Sequence, residues 1–144
     1  MLESQAREYL RSIKDLTEKR TKKLEQIAEL RAVAESCTVR TDKESVQTSG
    51  SGDKMANVVG RIVELKAEVD DLGTILGRRT STIHMIVEKM DDDQYSQWIK
   101  TRFLDFNGFY DTAMKMELTD STARRIDRKT ISEFARLYTT IFSC

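Results

Sequence analysis

The sequence predicts an all-α fold: a long, coiled-coil-like antiparallel helical hairpin followed by a small three-helix unit with a helix-turn-helix. Three observations predict it. The 144 residues contain no proline, the commonest helix breaker. Apolar residues alternate at steps of three and four over residues 54–90. Beyond Asp93 the composition changes, because the single Trp, all five Phe and three of the four Tyr fall there. A boundary at 93/94 follows, with the hairpin over 1–93 and the helix-turn-helix unit over 94–144.

The first helix is expected over about residues 2–36. Leu10, Ile13, Leu16, Leu24, Ile27, Leu30, Val33 and Ala34 recur at helical spacing on a background of strong helix formers. Thr17 and Arg20 make the middle of this stripe polar, which requires long side chains to reach outward there. Residues 38–53 read TVRTDKESVQTSGSGD, rich in Ser, Thr and Gly, and predict a flexible loop with Asp53 as N-cap of the next helix.

The second helix has the clearest pattern. Its seam runs through Met55, Val58, Ile62, Leu65, Val69, Leu72, Leu76, Arg79, Ile83, Ile86 and Met90, apolar at every position but one. Two helices of similar length bury their stripes most simply by folding back on each other. Gly73 and Gly77 sit beside the seam and weaken the helix by about 1 kcal/mol each relative to Ala.

Asp91–Asp93 ends the pattern. Three short helices are then expected: one grouping Tyr95, Trp98, Ile99 and Phe103, one grouping Phe109, Thr112, Ala113 and Met116, and one grouping Ala123, Ile126, Thr130, Ile131 and Phe134. The turns between them fall near Phe106–Gly108 and Glu117–Thr119, with Thr119 as N-cap of the last helix.

Charge and cysteine content exclude more than they assign. Lys+Arg and Asp+Glu balance at 24 each, yet residues 94–144 hold eight basic against six acidic side chains. The C-terminal part is mildly basic. Cys37 and Cys144 lack CxxC spacing, so free thiols and a reducing cytosol are expected. Charges interrupt every apolar run, so no membrane association is expected. No nucleophile with a base, phosphate-binding glycine loop or catalytic carboxylate pair stands out, and neither enzyme activity nor a cofactor is expected. His84 has no second ligand at helical spacing, and Asp91–Asp93 lack the glycine and spaced oxygens of a calcium loop.

A short helix, a turn of about three residues and a longer helix form the pattern in which the second helix enters the major groove. With Ala123, Ile126, Thr130, Ile131 and Phe134 facing inward, the last helix presents Ser121, Thr122, Arg124, Arg125, Arg128 and Lys129 on its opposite face. These six are the candidate DNA-binding residues. Arg can bond the guanine edge in pairs, hydroxyls can meet bases or phosphates, and cations further along the helix favour the backbone. Lys100, Arg102 and Lys115 are further phosphate candidates.

The stretch Arg102–Phe134, RFLDFNGFYDTAMKMELTDSTARRIDRKTISEF, resembles region 4 of bacterial sigma factors, through Arg102, Phe103, Leu104, Asp105, Phe109, Ala113, Leu118 and Thr119. DSTARRIDRKTISEFA is similar to the recognition-helix segment of ArpU/RinA-like phage transcriptional regulators. VQTSGSGDKMANVVGRIVELKAEV resembles the linker and second helix of their uncharacterised relatives. Two positions depart from region 4. Glu117 stands where Gly usually supplies a left-handed turn, at a cost of about 1–2 kcal/mol if that geometry is kept, and Phe106 also replaces a usual Gly.

The resemblance implies a DNA-binding regulator of phage or prophage genes, with duplex DNA as partner and RNA polymerase and a second copy as further candidates. Two competitors remain: a phage DNA-packaging recognition subunit, and a coiled-coil adaptor whose helix-turn-helix no longer meets DNA.

Overall fold

The computed structural model describes residues 1–43 and 49–143, with side chains over 1–36 and 53–143. Its elements are α1 (Glu3–Lys43), α2 (Ser49–Glu88), α3 (Asp93–Ile99) running into a π-helical segment (Lys100–Leu104), α4 (Phe109–Lys115) and α5 (Asp120–Phe142). There is no strand among the described residues. The all-α reading and its hairpin of long helices stand.

The long helices exceed their expected spans. α1 continues past Ser36 to Lys43, and α2 begins at Ser49 rather than Lys54. The loop expected over 38–53 is therefore helical at both margins, and its centre, 44–48, lies outside the described residues. Asp53 is inside α2 and does not cap it. The physical reason is that Ser, Thr and Gly lower helix propensity by at most about 1 kcal/mol each, while no proline is present to forbid the helical backbone.

The chain clusters into two compact units, Met1–Leu16 with Leu76–Cys144, and Thr17–Ile75. These limits differ from 93/94 because the start of α1 and the end of α2 share a core with α5.

In the first unit, Leu10, Ile13, Ile83, Ile86, Ile99, Phe103, Ile131 and Phe134 belong to one buried cluster. α1 and α2 run antiparallel here: Arg79 Nη1 donates to Ser12 Oγ at 2.6 Å, and one turn away Tyr9 shares a side-chain hydrogen bond with Thr82. The one charged seam position of α2 is thus accommodated by a polar partner and by the Tyr9 ring, 5.3 Å from the Arg79 guanidinium. A second cluster places Trp98 against Ala113, Ala123 and Ile126, which fixes α3, α4 and α5 to one another.

α3 is capped by Asp92, whose carboxylate accepts the Gln94 N–H at 2.8 Å, so the run of aspartates starts a helix. The α3 helix then widens into the π-helical segment, in which Asp105 N–H reaches Lys100 O at 2.9 Å.

The described residues of the second unit form two helices. Lys23 Nζ donates to Glu68 at 2.9 Å, and Gly73 lies beside Arg20, so the helices are again antiparallel. Ile27, Ile62, Leu65 and Val69 form its buried cluster. Leu24 and Val33, expected inward from the α1 stripe, are instead exposed, since two helices share one seam and residues flanking it reach solvent. Arg20 does occupy the seam as a polar interruption, with its Nε buried and without a hydrogen-bond partner among the described residues.

Candidate nucleic-acid interface

α4, a turn and α5 make the helix-turn-helix. α4 ends in a left-handed residue, Glu117, at φ 56°. The Glu117 N–H donates to Met114 O at 3.1 Å and the Leu118 N–H to Ala113 O at 2.8 Å, closing the last carbonyls of α4 in a Schellman motif. Leu118 packs into the cluster around Trp98 and Ala113, which supplies the apolar contact that accompanies this cap. The geometry expected from a glycine is kept with glutamate in place, and so is its backbone strain. Phe106, after the π-helical segment, is likewise left-handed, at φ 60°. There the Asn107 side-chain amide donates to Thr101 O at 2.8 Å.

α5 is capped as expected by Thr119, whose Oγ1 accepts the Thr122 N–H at 3.3 Å and donates to Thr122 Oγ1 at 2.8 Å. Asp120 complements the positive end of the helix. Ala123, Ile126, Asp127, Thr130, Ile131 and Phe134 are buried. Ser121, Arg124, Arg125, Arg128 and Lys129 are exposed, and Thr122 is half-buried with its hydroxyl engaged by the cap.

The exposed residues are not equivalent. Arg124 Nε pairs with Asp120 Oδ2 at 3.1 Å, one turn back on the same helix. Both groups are more than half exposed, so water screens the pair and it is weak. Arg125, Arg128 and Lys129 form no ion pair with the described residues in this structure. Lys100 and Lys115 are exposed on the preceding elements, with Lys115 Nζ donating to Asn107 Oδ1 at 2.9 Å.

Arg102 requires correction as a phosphate candidate. Its side chain is 14% exposed, it is hydrogen-bonded and ion-paired to Asp127, and its guanidinium lies over the rings of Trp98, Phe103 and Phe109 at 5.9, 5.0 and 5.5 Å. Burial draws its pKa below the ordinary arginine value, and the Asp127 charge and hydrogen bond oppose that pull. An arginine mostly buried against a carboxylate and three aromatic faces serves the core first, and only its remaining 14% exposure faces outward.

Asp127 is the residue the sequence reading missed. Flanked by Arg124, Arg125, Arg128 and Lys129, it is nevertheless buried, accepting the Trp98 indole N–H at 2.9 Å, the Arg7 guanidinium at 2.9 Å, and Arg102. Its spacing held the signal: it stands four residues from both Ala123 and Ile131, on the inward face. This carboxylate joins α1, α3 and the π-helical segment to α5 and so fixes which face of α5 points outward.

Among the described residues no group of His, Cys, Asp and Glu is arranged to hold a metal ion. No helix among them is long and apolar enough to cross a membrane. Comparison of the chain with family models, curated proteins and solved structures finds no match.

Proposed function

We propose that this protein is a DNA-binding transcription regulator of phage or prophage genes that reads duplex DNA with the helix beginning at Asp120. One observation carries the reading. A helix-turn-helix closed by a Schellman cap and a Thr119 N-cap presents Arg125, Arg128 and Lys129 outward, without ion pairs among the described residues, next to a loosely paired Arg124. The first turns of α5 would supply base contacts through Ser121, Arg124 and Arg125, and Arg128 and Lys129 would meet phosphates. Whole-chain neutrality does not oppose this, because association responds to the local field of the face that meets the duplex.

The phage assignment and the candidate partnership with RNA polymerase rest on the resemblance of residues 102–134 to sigma region 4 and to ArpU/RinA-like regulators. In this reading the protein acts in the cytoplasm of the bacterial host, without catalysis or cofactor.

The decisive experiment is selection of bound sequences from a random duplex pool, followed by affinity measurements over a range of salt. The expected result is one enriched motif and a steep loss of affinity as salt rises. No salt-dependent binding to any duplex, with the protein folded by circular dichroism, overturns the reading in favour of the adaptor.

A further inference from the structure

Two independent features meet at one cleft of about 300 Å³ within the Met1–Leu16 and Leu76–Cys144 unit. Leu10 and Phe103 are the buried apolar part of its lining, and beside them stand Arg11, Lys14, Asp15, Arg102, Phe106 and Asn107. The first feature is charge. Arg7 and Arg102 share the Asp127 carboxylate; after burial and that attraction, the remaining influences on the Arg102 guanidinium are the repulsions of Arg7 and Arg11. Three guanidiniums thus gather round one carboxylate. Arg11 is exposed and forms no ion pair among the described residues, although Asp15 stands one turn further along α1. A concave site with surplus positive charge on low-dielectric walls concentrates anions. The second feature is the backbone. Arg102 and Phe103 belong to the π-helical segment, and Phe106 is left-handed at φ 60°. Both conformations are costly ones that collect at ligand sites. Phe106 keeps 39% of its surface in water, so burial accounts for only part of what that strained aromatic residue does there.

We propose that this cleft binds a nucleoside phosphate, with the phosphate on Arg11 and the exposed end of Arg102, a sugar hydroxyl on Asp15 and the base against Phe106. Each part of the lining fits one part of that ligand. Guanidiniums bond phosphate oxygens in pairs, and two of them suit a dianion better than the single charge of a carboxylate. Asp15 is the only acid among the described residues of the lining. An ionised carboxylate only accepts hydrogen bonds, and the sugar hydroxyl supplies the donor. An inorganic anion would instead meet Asp15 as a like charge and leave Phe106 unused. A base stacks on an aromatic ring whatever its identity, because every base has a π-face. Asn107 is held from both ends of its amide, Nδ2 donating to Thr101 O at 2.8 Å and Oδ1 accepting from Lys115 Nζ at 2.9 Å, so this part of the lining is preorganised. The cleft lies at the small end of ligand-site sizes, which suits one nucleotide unit, either free or within a strand.

The cleft shares no residue with the outward face of α5, so this inference and the reading of duplex DNA fail separately. Isothermal titration of the full chain with adenosine monophosphate, adenosine and inorganic phosphate is expected to show the monophosphate binding about tenfold or more tighter than either fragment. Arg11→Ala, at an exposed position, should weaken the monophosphate by about tenfold or more and leave adenosine as it is. Phe106→Gly keeps the left-handed backbone without strain and should bring the monophosphate down to the affinity of inorganic phosphate. Lys22→Ala, an exposed cation of the other unit, should change neither. Circular dichroism confirms that each variant is folded. A single-stranded oligodeoxyadenylate titrated against the same variants identifies the source. Losses confined to the monophosphate support a free nucleotide, and losses for both probes, with the oligonucleotide the tighter, support a nucleotide within a strand. No binding of the monophosphate at millimolar concentration, inorganic phosphate binding as tightly as the monophosphate, or an affinity unchanged in either folded cleft variant overturns the inference.

Discussion

The Trp98 indole N–H donates to the Asp127 carboxylate at 2.9 Å, and that single contact ties the first helix of the C-terminal region to the face of α5 opposite its exposed cations. The two guanidiniums that share the carboxylate, Arg7 and Arg102, differ in setting. Arg102 is 14% exposed and Arg7 29%.

Removing the acid is expected to be more damaging than removing either exposed member of a surface ion pair. Asp127→Ala leaves the Arg102 charge and the indole N–H without their acceptor and should destabilise the protein by about 3–5 kcal/mol. Arg7→Ala, at the wetter end, should cost about 1 kcal/mol. Urea denaturation followed by circular dichroism measures both. Equal losses for the two variants contradict the unequal roles assigned here.

The strained turn yields a gain of stability. Glu117→Gly removes the left-handed penalty at φ 56° while preserving both Schellman hydrogen bonds, and should raise stability by about 1 kcal/mol. Thermal denaturation reads the effect. A loss instead of a gain would show that the glutamate side chain contributes more than its backbone costs.

Within the long helices, two substitutions should move stability in opposite directions. Leu65 is 1% exposed, so Leu65→Ala should cost about 2–5 kcal/mol. A Cβ on Gly77 meets nothing within 4 Å, so Gly77→Ala should gain about 1 kcal/mol from helix propensity alone. Both are read from denaturant midpoints with an unchanged slope.

On duplex DNA the candidate residues should separate by kind. Arg125→Ala should lose about 1–3 kcal/mol and relax preference at one base position, while Lys129→Ala should weaken all sequences alike and lower the salt slope by about one unit. Asp120→Asn should tighten binding by a few-fold, because it frees Arg124 and removes an exposed negative charge beside the phosphates. Fluorescence anisotropy titrations at several salt concentrations distinguish these outcomes. Tighter binding absent in Asp120→Asn would mean that Arg124 does not compete between the acid and the duplex.

What the sequence disclosed and what it concealed follow from the range of the interactions. The α2 seam was legible because a repeat of three and four depends on backbone geometry alone, and Ile62, Leu65, Val69, Ile83, Ile86 and Met90 are all buried. Thr119 was legible for the same reason, since capping is local. Glu117 and Phe106 were recognisable as sites of left-handed backbone only through a resemblance; nothing in a Glu or Phe by itself asks for that conformation. Asp127 and Arg102 were hidden because charge ordinarily signals solvent, and the partners of Asp127, which are Arg7, Trp98 and Arg102, lie 120, 29 and 25 residues away in sequence. The margins of the segment 38–53 were misread because Ser, Thr and Gly content weighs against a helix without forbidding one.

The chain's only tryptophan is held in the dry interior of the Met1–Leu16 and Leu76–Cys144 unit, and the Thr17–Ile75 unit has no indole at all. Emission colour therefore reports the melting of one unit, while ellipticity at 222 nm counts the helices of both. Heating curves recorded by the two signals coincide if the molecule melts as one body and part company if the two-helix unit unravels first, so the wild-type protein can disclose its own cooperativity without a label.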